Sequence, residues 1–382
     1  MKKLSAKARA RLTRKARWGN LTKARTSQPT INEQNRAAVL KAKATFNAIR
    51  QKLPTPVERI ISESRLTVTD FPAKFDLHTN YEETLALIME LRFLHRPRRS
   101  SGLNGNQSRR WRGLLNLARI EDIDPATGLV LAAELDSYRR HISGLRSNDD
   151  NWHENVRTYF LESGLFELLG ISPQRAHPKP ASGPERRVLK YRKGREPDGE
   201  QADRLRRELE DLCGESFGPR VLVNNALCEA MTNSHHHAYP EEQSWWPLTP
   251  PGNWWASCAW TPSTETMHMM LYDQGVGIPK TLPRSKHWAS TLPIIDRLDP
   301  EHSDAGLIEA ALELRRTSTN IEGRGRGLAE MAEWVDRTES GFLRILSGSG
   351  RVTYRPGKVV QRSKLRAPFC GTLVEWEIQR GS

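Results

Sequence analysis

Apolar residues along this chain fall into short periodic stretches, separated by polar segments rich in proline, glycine or arginine. Val39, Ala42, Phe46, Ile49 and Leu53 recur every three or four positions, the spacing of one helix face. Thr30 and Glu33 ahead of them have the spacing of a capping box, and Pro54 and Pro56 end the run. Arg36, Lys43 and Arg50 mark another face of the same helix, which suits either docking or lying along a phosphate backbone. A strand is predicted within Leu66–Leu77. Asn80 then predicts a helix cap, with Glu82 and Glu83 in the first turn and Leu85, Ile88, Met89 and Leu91 behind them. Gly113–Leu117 predicts a short strand and Asp124–Gly128 a turn. Leu131, Leu135, Tyr138 and Ile142 predict one face of the next helix. Arg96–Arg112 interrupts this pattern with six arginines and no acid, the composition of an exposed loop.

These stretches divide the chain into an arm over 1–55, a small α/β domain over 66–172, a linker over 173–186 and a compact domain over 187–380. The linker assignment rests on four prolines within 172–186 and few apolar residues. The whole length of 382 residues accommodates two domains and tails.

Charge sharpens the picture of the arm. The chain nets +14, yet residues 1–52 hold 15 Lys or Arg against one acid, Glu33, and the remainder carries 44 of each sign. Such an arm can neutralise phosphates and hold nucleic acid without sequence preference, or serve only as a disordered, solubilising tail. No apolar run is long enough to span a bilayer. The basic N-terminus lacks the apolar stretch of a signal peptide, although an organellar transit peptide has a similar composition. The reading is a cytoplasmic protein with no membrane partner. Cys213, Cys228, Cys258 and Cys370 are scattered without a C-x-x-C pair, which reads as buried, reduced thiols.

The candidate chemistry lies in the last 160 or so residues, where four elements stand in order. Leu227–Ala238 reads as a helix on which Glu229, Asn233 and His237 are four apart and share a face. A carboxamide oxygen there can ligate Mg²⁺, and a carboxylate beside it can accept a proton from a water or hydroxyl attacking a γ-phosphate. Met267–Tyr272 is an apolar strand ending in Asp273, followed by Gly275 and Gly277. An Asp at that point can accept a hydrogen bond from an adenine amino group, and the glycines let backbone approach a flat ring. Gly323, Gly325 and Gly327 alternate before a helix that runs through Val335, a setting in which free N–H groups meet phosphate oxygens. Gly371-Thr372 leads into a strand over Leu373–Ile378.

The ordered set resembles the GHKL ATPase superfamily, the Bergerat fold of gyrase B, heat-shock chaperones, MutL and histidine kinases, over residues 187–380. Glu229 to Asn233 matches its N box, Asp273-x-Gly-x-Gly-Ile its first glycine box, Gly323-x-Gly-x-Gly-Leu its second, and Gly371-Thr372 its final threonine motif. The resemblance implies an α/β sandwich with a mixed sheet and a mobile lid within 280–322. It also implies bound Mg-ATP. Asp273 would face the adenine with Thr372 nearby, Asn233 the metal, and Glu229 would be general base.

Residues 66–172 resemble a STAS-type domain, carried by Leu114–Leu117 and the segment Ile123–Leu135. That resemblance makes Thr127, just before Gly128, a candidate phosphosite at a helix start, set against an ordinary βα turn. The histidine run His235–His237 does not read as a metal tract, because ligands on one helix are expected three or four apart. The Trp245-Trp246 and Trp254-Trp255 pairs read as sheet or lid packing rather than base-stacking platforms.

The leading expectation is therefore an ATP-driven regulatory switch, a GHKL-type kinase or ATPase coupled to a STAS-like domain that meets a protein partner or substrate. The alternatives are a nucleic-acid-associated ATPase that uses the arm, or an ATP-sensing module without turnover. No histidine-bearing dimerisation helix is evident, which sets the sensor histidine kinases aside. No transducer segment follows the Gly-Thr strand, which counts against gyrase-like machines.

Overall fold

The computed structural model describes residues 61–94, 112–139, 145–174, 186–241, 250–317 and 327–379, apart from positions 63–64, 69–70, 215, 286–287 and 339, together with part of a helix between 37 and 52. The arm over 1–36, the arginine-rich loop, the linker over 175–185, Trp245-Trp246, and Gly323 and Gly325 lie outside the described residues. Within the predicted N-terminal helix, 37, 40, 43–45, 47–49 and 51 are helical. Residues 1–48 and 244–246 group as one unit. Residues 49–243 and 247–382 form a second, which takes in both 66–172 and 187–380.

The second unit opens with short strands β1 (Ile61–Ser62), β2 (Arg65–Val68) and β3 (Lys74–Phe75), and helix α1 (Tyr81–Leu94). Next come β4 (Arg112–Leu115), β5 (Asp122–Ile123), helix α2 (Pro125–Arg139) and β6 (Arg146–Ser147). Helices α3 (Glu154–Glu162) and α4 (Leu165–Leu169) complete this part. β2, β4 and β6 pair in parallel, β1 joins β2 antiparallel, and β3 pairs with β5 in a separate parallel ribbon. The single strand predicted within Leu66–Leu77 is thus two strands in different sheets, with buried Phe71 between them. The turn predicted over Asp124–Gly128 is instead the first turn of α2. Asp124 Oδ2 accepts the Thr127 N–H at 2.9 Å, and Pro125 fills the first helical position, where its missing N–H costs nothing. Leu131 and Leu135 are buried, as their spacing predicts, whereas the side chains of Tyr138 and Ile142 lie outside the described residues.

The larger sheet is built from β7 (Arg187–Val188), β8 (Arg192–Gly194), β9 (Trp254–Thr261), β10 (Thr266–Asp273), β11 (Gly341–Arg355) and β12 (Lys358–Gln379). Its order is β11-β12-β10-β9-β7, with β8 also on β9. Every described pairing in it is antiparallel, so the mixed sheet expected from the family resemblance is corrected here. Helices α5 (Gly199–Cys213), α6 (Arg220–Asn233), α7 (Ile278–Thr281), α8 (Trp288–Leu298), α9 (Asp304–Thr317) and α10 (Gly327–Asp336) come from the same part of the chain.

Successive strand residues face opposite ways, and here both faces are covered. Trp254, Ala256, Cys258, Met267, Met269 and Leu271 join residues of α5, α6, α9 and α10 in the main core. Trp255 and Tyr272 turn to the other face, where α2 packs on β9 and β10. Two-sided burial explains why β9 reads as a continuous apolar run rather than an alternating one. It also accounts for Trp254-Trp255, both fully buried, which pack the sheet as expected. Trp334 and Trp376 lie 6.2 Å apart between centroids, and each indole N–H reaches a backbone carbonyl, of Phe217 and Met331 respectively. The Gly-Thr strand is longer than expected, since Gly371 lies inside β12. Most of 280–322 is packed helix. Ala305, Ile308 and Leu312 of α9 are core residues, and 318–322 lie outside the described residues.

Trp376→Ala is expected to cost about 3–5 kcal/mol, the range for removing a buried aromatic. Urea unfolding checks this, the expected result being a lower midpoint with an unchanged slope.

Candidate functional site

Helix α6 starts after Pro219 and is pinned by Val223, Ala226, Leu227, Ala230 and Met231 in the core. Glu229 and Asn233 lie at the edge of that buried face and are half-buried. The helix does not stop at Asn233 but widens into a π turn over Ser234–Ala238, a local irregularity that often marks functional positions. The Asn233 carboxamide nitrogen is buried without a hydrogen-bond partner, an unsatisfied donor on a residue that lines the cavity described below.

The π turn is joined to the end of β10. The Val276 N–H donates to Ala238 O at 2.9 Å and the Gln274 N–H to the Tyr239 hydroxyl at 2.9 Å. A Cβ on Gly275 would sit 2.4 Å from the Ala238 Cβ and 2.5 Å from its carbonyl oxygen, so only glycine allows this approach. Gly277 has φ +88°, and its successor Ile278 donates its N–H to Ser347 Oγ at 2.9 Å. Ser347 Oγ in turn lies 3.1 Å from Thr372 Oγ1.

Register brings the two strand motifs side by side, because Asp273 pairs with Thr372 across β10 and β12. Gly371 has φ +106°, and a Cβ there would meet Asp273 O at 1.9 Å. Asp273 itself is 5 % exposed, and Oδ1 accepts the Gly275 N–H at 2.8 Å. Burial raises its pKa to about 7, while the backbone N–H groups of Gly275 and Thr372 pull the other way.

These elements surround a cavity of about 920 Å³. Glu229, Asn233, His237, Asp273, Gly277 and Thr372 all line it, and so does Leu328, next to Gly327 at the start of α10. Four of the sequence motifs thus contribute to one space. Leu271, Ile345, Met331 and Val374 give it an apolar wall. The arrangement can take a flat heterocycle against apolar surface with a hydrogen-bonding carboxyl group beside it, and a polar extension toward Glu229 and Asn233.

Three contributors escape the sequence reading. Lys280 and Arg284 line the cavity from α7 and the 3₁₀ turn Leu282–Arg284 that follows it, and Ser347 ties the glycine loop to the threonine strand. Lys280 and Arg284 are four apart just beyond Ile278-Pro279, a spacing that a helical reading of that stretch would have exposed. Ser347 carries no such signal in a run of serine and glycine.

Thr127 and His235 sit outside the cavity, whereas His236 and His237 are on its rim. Thr127 does not line the cavity and is fully buried. Its Oγ1 lies 3.0 Å from Asp124 Oδ2 and accepts the Leu77 N–H at 3.0 Å, so in this fold the hydroxyl serves as a helix-start staple closed to a kinase. His235–His237 are exposed, and His235 Nδ1 sits 3.0 Å from Arg195 O. Among the described residues no group of three His, Cys, Asp or Glu is placed to hold a metal, and Cys213, Cys228, Cys258 and Cys370 are free thiols. No described helix is long and apolar enough to cross a membrane. Comparison with protein-family models finds no match to the chain, and a search of curated proteins finds none either.

Asp273 has a pH signature with a definite sign. Its folded pKa lies above the ordinary 3.8, so the native state holds the extra proton and this group's contribution is lost as pH rises from 3.8 through about 7. Thermal unfolding of wild type and Asp273→Asn across that window should show wild type losing ground to the variant as pH rises. A constant gap would mean that burial does not hold this carboxyl group protonated.

Proposed function

We propose that the protein binds ATP with Mg²⁺ in this cavity and acts as a GHKL-type nucleotide-dependent switch, with kinase or ATPase activity coupled to the STAS-like part of the chain. The observation that carries the reading is convergence. Residues from α6, the end of β10, the start of α10 and the Gly371-Thr372 segment, separated by up to about 140 positions, line one space. A cavity near 900 Å³ with an apolar wall on one part and polar and charged side chains on the rest suits a nucleotide-sized ligand.

In this reading Asp273 accepts the adenine amino group, with Thr372 beside it. Gly275 and Gly277 shape the loop against the base, and Lys280 and Arg284 offer positive charge to the phosphates. Gly323 and Gly325 precede α10 in sequence and Gly327 opens it, and a helix N-terminus favours anions. The fit to Mg²⁺ rests on hard oxygen donors, the Asn233 carboxamide and the nearby Glu229 carboxylate. Mg²⁺ is commonly held through one or two protein groups plus phosphates and water. Mg²⁺ would neutralise phosphate charge when bound. Glu229 accepts the proton from an attacking water or hydroxyl. The back of the same sheet meets α1 and α2, which offers a route by which a partner on the STAS-like part could reach the site.

The test is calorimetric titration with ATP and Mg²⁺, followed by incubation with γ-labelled ATP that reads both free phosphate and label on protein. Asp273→Ala and Asn233→Ala are expected to weaken binding tenfold or more, which corresponds to about 1.4 kcal/mol. Glu229→Ala is expected to bind yet turn over no ATP. Unchanged affinity in Asp273→Ala would sink the assignment, and tight binding without turnover in wild type would leave an ATP sensor.

A further inference from the structure

Tyr272 and Gln274 flank Asp273, and both point away from the cavity toward α2. Ser137 Oγ donates to Gln274 Oε1 at 2.8 Å, and Gln274 Nε2 donates to Ala133 O at 3.4 Å. The Tyr272 hydroxyl lies 2.8 Å from Glu134 Oε1 and 2.9 Å from Cys370 O. Burial raises the Tyr272 pKa well above its usual range, so the hydroxyl stays a donor. From α1, Arg92 spans Glu134 with two hydrogen bonds of 2.8 and 2.6 Å and also donates to the Tyr272 hydroxyl and to Cys370 O. Both segments that shape the cavity are therefore held from behind by buried polar contacts anchored on α2, Asp273–Gly277 through Gln274 and Cys370–Thr372 through Arg92, Glu134 and Tyr272.

Stability alone does not account for this network. A buried ion pair replaced by well-packed apolar side chains is often neutral or stabilising, whereas a fully satisfied polar network fixes one arrangement and penalises others. Arg92, Glu134, Ser137 and Gln274 do not line the cavity. We infer that these four are positioning residues, through which α1 and α2 set the placement of Asp273 and Thr372. The inference rests on the nucleotide reading of the cavity and gives that site a regulatory input. A partner that shifts α1 or α2 releases the loops and lowers nucleotide affinity, and nucleotide in turn stabilises α2 in place.

Native-state hydrogen exchange on the full chain tests this, using wild type, Ser137→Ala and Gln274→Leu for the Gln274 contact and Tyr272→Phe for the Cys370 contact. Exchange in segments covering 273–278 and 370–373 is expected to rise up to about tenfold, as loss of one net hydrogen bond allows. Exchange in the middle of β9, residues 256–260, stays as in wild type. ATP affinity measured by calorimetry on the same proteins is expected to fall by a similar factor with little change in melting temperature. Unchanged loop exchange in all three variants, or acceleration spread evenly over β9 and the loops, overturns the inference. Local acceleration in a chain whose wild type binds no ATP supports the grip on the loops and sinks the nucleotide reading instead.

Discussion

The pairing of Asp273 with Thr372 is the constraint on which the rest of the site depends. It holds only because Gly371 lets two backbones approach more closely than any side chain permits, since a Cβ at that position would sit only 1.9 Å from Asp273 O. The contact lies inside a sheet covered on both faces, so Asp273 is stripped of water and its proton affinity rises. The same closure leaves the carboxyl group, two backbone N–H groups and a threonine as the polar features at the base of a largely apolar space. Burial and chemistry are thus consequences of one strand register.

Local signals are legible in the sequence and long-range ones are not. Glu229, Asn233 and His237 can be placed on one face because helical period is a property of neighbouring residues. Asp273, Gly275 and Gly277 announce a strand end with a close backbone approach, and the structure explains both glycines by Ala238 and Ser347. Ser347 itself is invisible, since its role exists only once β11 lies beside β12. The Asp124–Gly128 segment carries proline and glycine, the usual marks of a turn, yet Asp124 caps and Pro125 opens a helix. The mixed sheet is an expectation by analogy, and antiparallel pairing differs from it only in connections no local pattern encodes. The role of α2 is also out of reach. Its apolar face can be read, but Glu134, Asp136 and Ser137 look like solvent-facing positions until the back of the sheet arrives. All three are buried.

Polar groups on the two sides of β10 differ in their surroundings. Behind the sheet, Arg92, Glu134 and Tyr272 are satisfied by one another. Those facing the cavity include an unpartnered carboxamide nitrogen on Asn233 and a carboxyl group perturbed by burial. A satisfied polar network fixes one arrangement, whereas an unsatisfied buried group carries a desolvation cost. The sheet separates the two sets by the alternation of its side chains, with Tyr272 on one side and Asp273 on the other.

The covering of Trp255 and Tyr272 by α2 bears on how such a chain can be cut and recombined. A piece beginning at 187 would retain every residue assigned to the cavity, yet it would leave a tryptophan, a tyrosine and the back of β9 and β10 open to water. That surface invites self-association. Gene fusion or fission would therefore be tolerated poorly near 173–186, despite the prolines that make it look like a seam, and inheritance would favour both halves travelling together.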